Sequence, residues 1–341
     1  MNRALVTGAA GMLGSYIAAR LLEEGWTVRG LARTPLAMNQ LSQHGIEPVP
    51  GDLLNADSLA TAAHGCDAII HAAAAIGSDG DADTFERTNV AGTGHVVDAA
   101  ARAGARVVHV SSTAVFGSAR YGTRPTDEDV PLPELDRSDV YGRSKQDAER
   151  VVLKAQRAGL VWAAIVRPPM MYGRHDRQFV PRVAPVLRAR CFPLIGGGRT
   201  TLPLVHADAV ADGAVRVLLN DRADGRIYHL TTDYPLSAAD LIRFAAEGLG
   251  RPVWTPRIPT SVGRGGFAAL GAALRLGGRA DLARHAPGTL EMLLRDNPFD
   301  SERARRDIGW SPRIPPSEGI PDAFRWWRDR RHEATQGGGA R

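Results

Sequence analysis

Lysine is almost absent from this chain. Only Lys145 and Lys154 are lysines among the 42 basic residues of the 341, and the rest are arginines. A genome rich in G and C writes arginine for lysine at most positions, so a retained lysine invites a chemical reason. Lys145 lies four residues after a tyrosine in "YGRSK". Taken alone, the pair has a simpler interpretation, in which Lys145 is a solvated helix residue that was retained by chance. The neighbouring motifs must therefore decide whether Lys145 has a chemical role.

Cysteine is equally scarce, and long apolar segments are missing. Cys66 and Cys191 lie far apart without the close spacing of a metal site, so we expect no metal and two small buried side chains in a reducing compartment. No segment reaches the roughly 18 apolar residues that a membrane-spanning helix needs. The first residues lack the apolar run of a signal peptide. Together these absences predict a cytoplasmic protein with no membrane span.

A strong excess of one charge is also missing, although the net charge is +5 and the sequence pI is about 9.6. A basic protein can bind nucleic acid. Here, however, arginines alternate with Asp and Glu along most of the chain and concentrate only in the final "RWWRDRRHEATQGGGAR". We interpret 331–341 as a flexible tail, and we expect a small-molecule substrate and no nucleic-acid partner.

Short apolar runs alternate with helical patterns over the first 166 residues. In helices such as "GSYIAARLLEEG", Ile17, Leu21 and Leu22 recur at helical spacing. Continuous apolar strands are typical of a parallel sheet covered on both faces. Six such runs are predicted as strands: "RALVTG", "TVRGLA", "EPVPGD", "DAIIHAAA", "ARVVHVSS" and "VWAAIVRP". The alternation predicts an α/β fold with a doubly wound parallel sheet, that is, a Rossmann domain.

After Arg167 this rhythm breaks, and prolines interrupt a loop-rich stretch. We expect a dinucleotide-binding Rossmann domain over 1–167 and a smaller, mainly helical C-terminal substrate domain over 168–330. Residues 203–233 contain the helix pattern "HADAVADGAVRVLLN" and the strand pattern "RIYHLTT". We expect this segment to return to the first domain.

Three glycines, Gly8, Gly11 and Gly14, separate the first predicted strand from its helix in "VTGAAGMLGSYIAARLL". Glycines at such a turn let the backbone bend and approach a diphosphate, which then faces the positive end of the helix. A purely structural turn would also use glycine. The strand before the loop and the helix after it favour a dinucleotide site.

The spacing G-x-x-G-x-x-G resembles that of the short-chain dehydrogenase/reductase superfamily. Further motifs match its extended branch, the NAD-dependent epimerase/dehydratase superfamily, along nearly the whole chain: "GDL" (51–53), "HAAA" (71–74), "NVAGT" (89–93), "SSTAVFG" (111–117), "YGRSK" (141–145) and "RPPMMYG" (167–173). The chain is most similar to the 3β-hydroxysteroid dehydrogenase and dihydroflavonol reductase-like branch. We also expect a homodimer.

The resemblance implies a set of cofactor-binding residues. Asn89 either fixes the backbone near the cofactor or caps a helix. The second strand ends in "RGLART", with no acid to bind a ribose hydroxyl. Arg33 at that point is expected to pair with the 2′-phosphate of NADP(H), and stacking on the adenine of NAD(H) is the alternative. The whole implied set is Gly8, Gly11, Met12, Leu13, Arg33, Asp52, Leu53, Ala72, Ala73, Asn89, Tyr141, Lys145 and Pro168.

The YGRSK motif supplies the expected catalytic pair. Tyr141 and Lys145 are four residues apart, so both project from one face of a helix. A tyrosine has a pKa of about 10, and a buried ammonium beside it would lower that pKa; about 3 pKa units correspond to roughly 4 kcal/mol. The resemblance then implies Tyr141 as acid/base, Lys145 as the residue that tunes it, and Ser112 as hydrogen-bond partner of a substrate carbonyl, with Thr113 beside the substrate.

Three departures from sugar-nucleotide enzymes bear on the reaction. Thr113 and the following Ala114 stand where 4,6-dehydratases carry an Asp-Glu pair, and Met170 replaces the Asn of R-P-x-N. The segment "TTLPLVHADAV" also lacks an arginine for a diphosphate. Met170, Met171 and Leu202 instead indicate an apolar pocket. We therefore expect an NAD(P)-dependent oxidoreductase of an apolar ketone or secondary alcohol.

Two other functions stay open on the sequence. A nucleotide-sugar epimerase with tightly bound NAD is the main alternative, and a non-catalytic regulator is the other. One further pattern, in "GGFAALGAALRLGG", places Phe267, Leu270 and Leu274 on one helical face. This stripe fits a lid over an apolar substrate or a plain core helix.

Overall fold

The strands follow the predicted runs closely. The computed structural model of the protein describes residues 2–76, 81–117, 126–188, 190–231, 234–276 and 296–337. Its strands, in chain order, are β1 (Arg3–Thr7), β2 (Thr27–Ala32), β3 (Glu47–Pro50), β4 (Ala68–His71), β5 (Arg106–Val110), β6 (Ala163–Arg167), β7 (Met170–Tyr172), β8 (Leu194–Ile195), β9 (Leu204–His206), β10 (Ile227–His229) and β11 (Arg257–Ile258).

The helices connect these strands and cover both faces of the sheet. They are α1 (Met12–Glu23), α2 (Pro35–Gln43), α3 (Ala56–Ala63), α4 (Ala82–Phe85), α5 (Gly92–Ala103), α6 (Val140–Arg157), α7 (Val180–Leu187), α8 (Ala207–Leu219), α9 (Ala238–Leu249), α10 (Thr260–Leu276), α11 (Glu302–Ile308) and α12 (Pro316–Gly337). A π-helical segment, Glu86–Ala91, joins α4 to α5, and 3₁₀ turns occupy Thr113–Phe116 and Asp221–Ala223. Within the described part of the chain, no helix combines the length and the apolar character needed to cross a membrane.

The central sheet has the order β10-β6-β5-β4-β1-β2-β3, and every neighbouring pair is parallel. One apolar core lies between this sheet and α1 and α8, and a second lies between the sheet and α3, α5 and α6. The six predicted strands and the doubly wound Rossmann fold are therefore confirmed. The strand predicted in "RIYHLTT" is β10, which pairs with β6 at the edge of this sheet.

A separate apolar core belongs to the later part of the chain. It is built from α7, α9, α12 and the residues around the small parallel pair of β7 and β9. Leu202 is only 1% exposed inside this core. Its expected place in a substrate pocket is therefore wrong, because its side chain already packs against other core residues. The domain boundaries at 167 and 330 stay a prediction, and α12 continues to Gly337, into the segment expected to be a tail.

The two cysteines have different surroundings. Cys66 is buried, as expected, but Cys191 is exposed. Cys191 lies before the short strand β8 and forms an isolated backbone β-bridge with Trp254. Trp254 is itself 69% exposed. The expectation that Cys191 is buried is therefore wrong. The side chains of Phe267, Leu270 and Leu274 lie outside what the structure describes, although their backbone belongs to α10.

Close backbone packing of α1 against the loop before it depends on two glycines. Gly8 has φ +72°, and a Cβ there would lie 2.9 Å from the backbone nitrogen of Ala73. A Cβ on Gly14 would lie 2.1 Å from the carbonyl oxygen of Gly8. Both contacts are with backbone atoms, which cannot rotate away as a side chain would.

We expect Gly14→Ala to destabilise the protein, because its methyl group would force α1 away from the loop. Overpacking of this kind typically costs about 1–3 kcal/mol. The control is Gly94→Ala in α5, where a Cβ would meet nothing within 4 Å, and where alanine should add roughly 0.5–1 kcal/mol of stability. Urea unfolding of both variants checks this, and equal stability of the two would contradict the packing argument.

Candidate functional site

Ser112 lies two residues after the end of β5, at the carboxyl edge of the sheet, where open α/β sheets bind their ligands. Its Oγ accepts a hydrogen bond of 3.1 Å from the backbone N–H of Ala114 and so caps the 3₁₀ turn Thr113–Phe116. The buried Thr113 donates its N–H to the carbonyl oxygen of Pro168 at 3.0 Å. The turn after β5 is thereby tied to the segment after β6, and three predicted site residues lie together.

Helix α6 carries Tyr141 and Lys145 to the same edge. The helix begins after Asp139, whose Oδ1 accepts the N–H of Gly142 at 2.9 Å. The Ser112 side chain lies close enough to the Tyr141 hydroxyl to lower its pKa by hydrogen bonding. Lys145 is 3% exposed, and its Nζ donates to the carbonyl oxygen of Val110, the last residue of β5, at 2.7 Å. The three predicted catalytic residues therefore meet at the end of β5.

The ionisation of this trio differs from the expectation. Burial raises the pKa of Tyr141 to about 12, although the hydrogen bond from Ser112 opposes the rise. Burial also lowers the pKa of Lys145 to about 8, with the charge of Glu149 opposing the fall. The expected lowering of the tyrosine pKa is thus wrong. Desolvation of the phenolate dominates because the Lys145 ammonium is directed to the Val110 carbonyl.

His71 organises the backbone beside the glycine loop, and we did not identify it from the sequence. Its Nδ1 lies 2.7 Å from Thr7 Oγ1, and its Nε2 lies 3.1 Å from Thr93 Oγ1. Thr7 Oγ1 in turn accepts the N–H of Ala73 at 3.2 Å. Burial lowers the pKa of His71 to about 3, so the ring is neutral at physiological pH. The sequence did contain one signal for His71, because it is a polar residue at the end of the otherwise apolar strand "AIIH".

A dinucleotide fits the cradle that these residues form. The positive φ of Gly8 and its contact with Ala73 leave no room for a Cβ at the loop. No side chain caps the start of α1 at Gly11, so the N–H groups of the first turn are open to a phosphate. Partly exposed Met12 and buried Leu13 form that first turn. Ala72, also partly exposed, follows β4 beside the loop.

Three predicted residues, Arg33, Asp52 and Leu53, lie farther along this edge. Arg33 is exposed directly after β2, and among the described residues no carboxylate pairs with its guanidinium. Asp52 follows β3, and its Oδ1 accepts the N–H of Leu54 at 2.9 Å, so its carboxylate stabilises a turn. Leu53 is 6% exposed, and its carbonyl oxygen contacts His95 Nδ1 at 2.8 Å. Of these three residues, Arg33 is the one whose charged group forms no hydrogen bond or ion pair within the described part of the chain.

Asn89 fixes the backbone near the site rather than capping a helix. It lies inside the π-helical segment and is 2% exposed. Its side chain accepts the N–H of Ala75 at 2.8 Å and donates to the carbonyl oxygen of Ala75 at 3.1 Å. It also donates to Ser144 Oγ on α6 at 3.0 Å. The segment after β4 is thus joined to the helix of Tyr141.

The predicted substrate residues lie on β7, just beyond Pro168. Met170 is 41% exposed, and Met171 is partly buried against the first core. They pair with Leu204 and Val205 of β9. Since this strand begins three residues after β6, an exposed apolar side chain stands next to the carboxyl edge.

Comparison with known proteins agrees with this geometry. The profile of the "NAD dependent epimerase/dehydratase family" matches residues 4–230. A "4-hydroxy-2-methyl-3-oxo-4-farnesyl-3,4-dihydroquinoline-1-oxide ketoreductase" from Stigmatella aurantiaca is 31% identical over 95% of this chain and 96% of its own. A "3 beta-hydroxysteroid dehydrogenase/Delta 5-->4-isomerase" from Mycobacterium tuberculosis is 29% identical over 96% and 90%.

A solved UDP-glucuronic acid 4-epimerase from Bacillus cereus, in complex with NAD, has the same fold. It superposes with a TM-score of 0.74 over 96% of this chain and 99% of its own, at 19% identity. At that identity the likeness extends to the fold alone. The family profile and the full-length relatives carry the assignment: the chain belongs to the NAD dependent epimerase/dehydratase family and is an oxidoreductase of the extended short-chain dehydrogenase/reductase type.

Proposed function

We propose that the protein is an NADP(H)-dependent reductase of apolar ketones, which in reverse oxidises the secondary alcohol. The observation that carries this proposal is the pair of hydroxyls on Ser112 and Tyr141 above the buried Lys145. A bound nicotinamide dinucleotide supplies the hydride. The chain's own residues hold the ketone oxygen and provide its proton.

The raised pKa of Tyr141 suits reduction. With a pKa of about 12 the phenol is protonated at neutral pH, so it can act as the acid that donates its proton to the ketone oxygen. Ser112 Oγ accepts from the Ala114 N–H, and its own proton can turn from the Tyr141 hydroxyl to the same ketone oxygen, where it would stabilise the developing negative charge. Lys145 would hold the ribose hydroxyls of the nicotinamide half.

The preference for NADP(H) is supported by charge at the end of β2. Arg33 is exposed, and no acidic residue lies in β2 or directly after it. A guanidinium there can pair with a 2′-phosphate through two charge-assisted hydrogen bonds. An acidic residue would instead favour the free hydroxyl of NAD.

The apolar character of the substrate is supported by β7 and by the relatives. Met170 exposes its thioether beside the carboxyl edge, and Arg174 forms two hydrogen bonds of 2.8 Å with Asp322. Arg174 is therefore already paired with a carboxylate, whereas a diphosphate buried here would need compensating cations. The printed names of the two relatives, a farnesyl-dihydroquinoline-oxide ketoreductase and a hydroxysteroid dehydrogenase, point to large apolar ketones and alcohols.

Replacing Tyr141 by Phe should abolish ketone reduction and leave NADPH binding nearly unchanged, since the hydroxyl acts on the proton and barely on the dinucleotide. Turnover and fluorescence titration with NADPH measure the two effects. The matched control is Tyr228→Phe, which removes the hydroxyl of another buried tyrosine, on β10, and should leave turnover intact. Substantial turnover by the Tyr141 variant would remove it as the acid.

Arg33→Ala should weaken NADPH binding on the order of tenfold or more and leave NADH binding nearly unchanged, because a charge-assisted hydrogen bond contributes about 1.5–3 kcal/mol. The control is Arg102→Ala, an exposed arginine at the end of α5, which should affect neither cofactor. Equal weakening of both cofactors would mean that Arg33 only stacks on adenine, and the NADP(H) preference would be wrong.

Calorimetry with the cofactor bound separates the reductase from an epimerase. UDP-glucose, UDP-galactose and dTDP-glucose should show no saturable binding, while aromatic or alicyclic ketones should be reduced with consumption of NADPH. Micromolar binding of any of the three sugar nucleotides would overturn the reductase in favour of the epimerase.

A further inference from the structure

Helix α6 carries a third polar side chain on the face of Tyr141 and Lys145. Glu149 follows Lys145 by one more helical step of four residues, so the three side chains line up along the helix. The Glu149 side chain is 2% exposed, and so is that of its partner Arg167, the last residue of β6. Neither residue belongs to the proposed catalytic set.

The contact between them has the geometry of a fork. Arg167 Nε donates to Glu149 Oε1 at 2.8 Å, and Nη2 donates to Oε2 at 2.7 Å. Two parallel charge-assisted hydrogen bonds fix orientation as well as distance. The pair therefore sets both how far α6 lies from β6 and how the helix is rotated about its axis.

The same guanidinium reaches a third element. Its central carbon lies 5.2 Å from the centre of the Phe116 ring, over its face. Phe116 ends the 3₁₀ turn that Ser112 begins. The carbonyl oxygen of Pro168, next to Arg167, accepts the N–H of Thr113 in that turn. One buried ion pair thus links the elements that hold Tyr141, Lys145 and Ser112.

Folding stability alone does not account for such a pair. Replacing a buried ion pair by well-packed apolar residues is often neutral or stabilising, because both charges must lose their hydration. A fold that needed only packing at this place could use aliphatic side chains, as α6 and β6 do at Val152 and Ile165 in the same core.

We propose that the ion pair of Glu149 and Arg167 is the positioning device of this site, which locks α6 against β6 and the Ser112 turn. Its effect on turnover rests on the proposed function; its effect on Lys145 does not.

The charge of Lys145 depends on the groups packed around it. Glu149, on its own helix, favours the ammonium, while burial lowers the pKa of Lys145 to about 8. His71 of β4 and His109 of β5 lie near it as neutral rings, 5.2 Å apart, with pKa values lowered chiefly by burial. Arg167 of β6 shares the Glu149 carboxylate. Removing Glu149 should therefore lower the pKa of Lys145. Removing Arg167 should leave Lys145 as the nearest cation to the Glu149 carboxylate, which should raise the pKa of Lys145.

Because lysine is scarce, the pKa of Lys145 can be measured in the protein alone. Lysine labelled with ¹³C at Cε and ¹⁵N at Nζ gives signals from only two residues, and the exposed Lys154 serves as internal reference. Lys145 should titrate near pH 8 in the unaltered protein. In Glu149→Gln the midpoint should move down by about one pH unit, and in Arg167→Met it should move up, since an opposite charge nearby favours the charged form.

Two further variants keep the test decisive. Asp147→Asn removes a carboxylate from the outer side of α6, where it pairs with Arg150, and should leave the Lys145 midpoint unchanged. The double variant Glu149→Gln/Arg167→Met leaves no unpaired buried charge, so it should fold even if a single variant does not, and its midpoint should match that of Glu149→Gln. An unchanged midpoint in the double variant, or shifts of the two single variants in the same direction, would overturn the proposal.

Kinetics complete the experiment. Ketone reduction by the double variant should lose kcat on the order of 10- to 100-fold, because small misplacements of catalytic groups have effects of that size, while NADPH binding should weaken far less than that. A double variant with the kcat of the unaltered protein would refute the positioning role. An unaltered protein that reduces no ketone would refute the proposed function and leave the lysine titration as it stands.

Discussion

A layer of buried polar side chains at the carboxyl edge of the sheet constrains everything around it. Thr7, His71 and Lys145 lie within this layer under α5 and α6, each 3% exposed or less. A buried polar group without a partner costs about 1–3 kcal/mol, so the two helices must lie where they can satisfy these groups. The hydrogen bonds of His71 to the threonines of β1 and α5 and of Lys145 to Val110 meet that requirement. This layer thus contributes, with the ion pair of Glu149 and Arg167, to the position of α6 and of Tyr141.

The same burial determines the protonation states of the site. Low exposure disfavours charge on both the phenol and the amine, so the tyrosine holds its proton and the lysine releases its own more easily. A protonated phenol beside a serine hydroxyl is ready to donate to an oxygen that becomes negative. Under the proposed function, this protonation state suits the donation of a proton to a ketone oxygen during reduction.

Not every group in the layer is satisfied. Among the described residues, neither ring nitrogen of His109 has a hydrogen-bond partner, and the same holds for Arg167 Nη1. His109 lies next to His71 across β4 and β5, and burial keeps it uncharged. A neutral ring beside Lys145 adds no second positive charge to the surroundings of the lysine.

Local patterns determined the fold and the residue types of the site. Strand and helix periodicity predicted all six first strands, and the spacing of Gly8, Gly11 and Gly14 predicted the loop that the structure places against Ala73. Helical spacing alone put Tyr141 and Lys145 on one face. These features depend on neighbours within a few residues, so the sequence carries them directly.

Only the tertiary structure decided which distant groups surround those residues. Glu149 meets Arg167 across 18 positions and His71 meets Thr7 across 64, and neither contact follows from a local pattern. The pKa of Tyr141 rose rather than fell because desolvation depends on what covers the hydroxyl, which is unknown until the helix has docked. Leu202 proved to be core and Cys191 surface for the same reason: burial is a property of the packed chain, and residue type alone does not determine it.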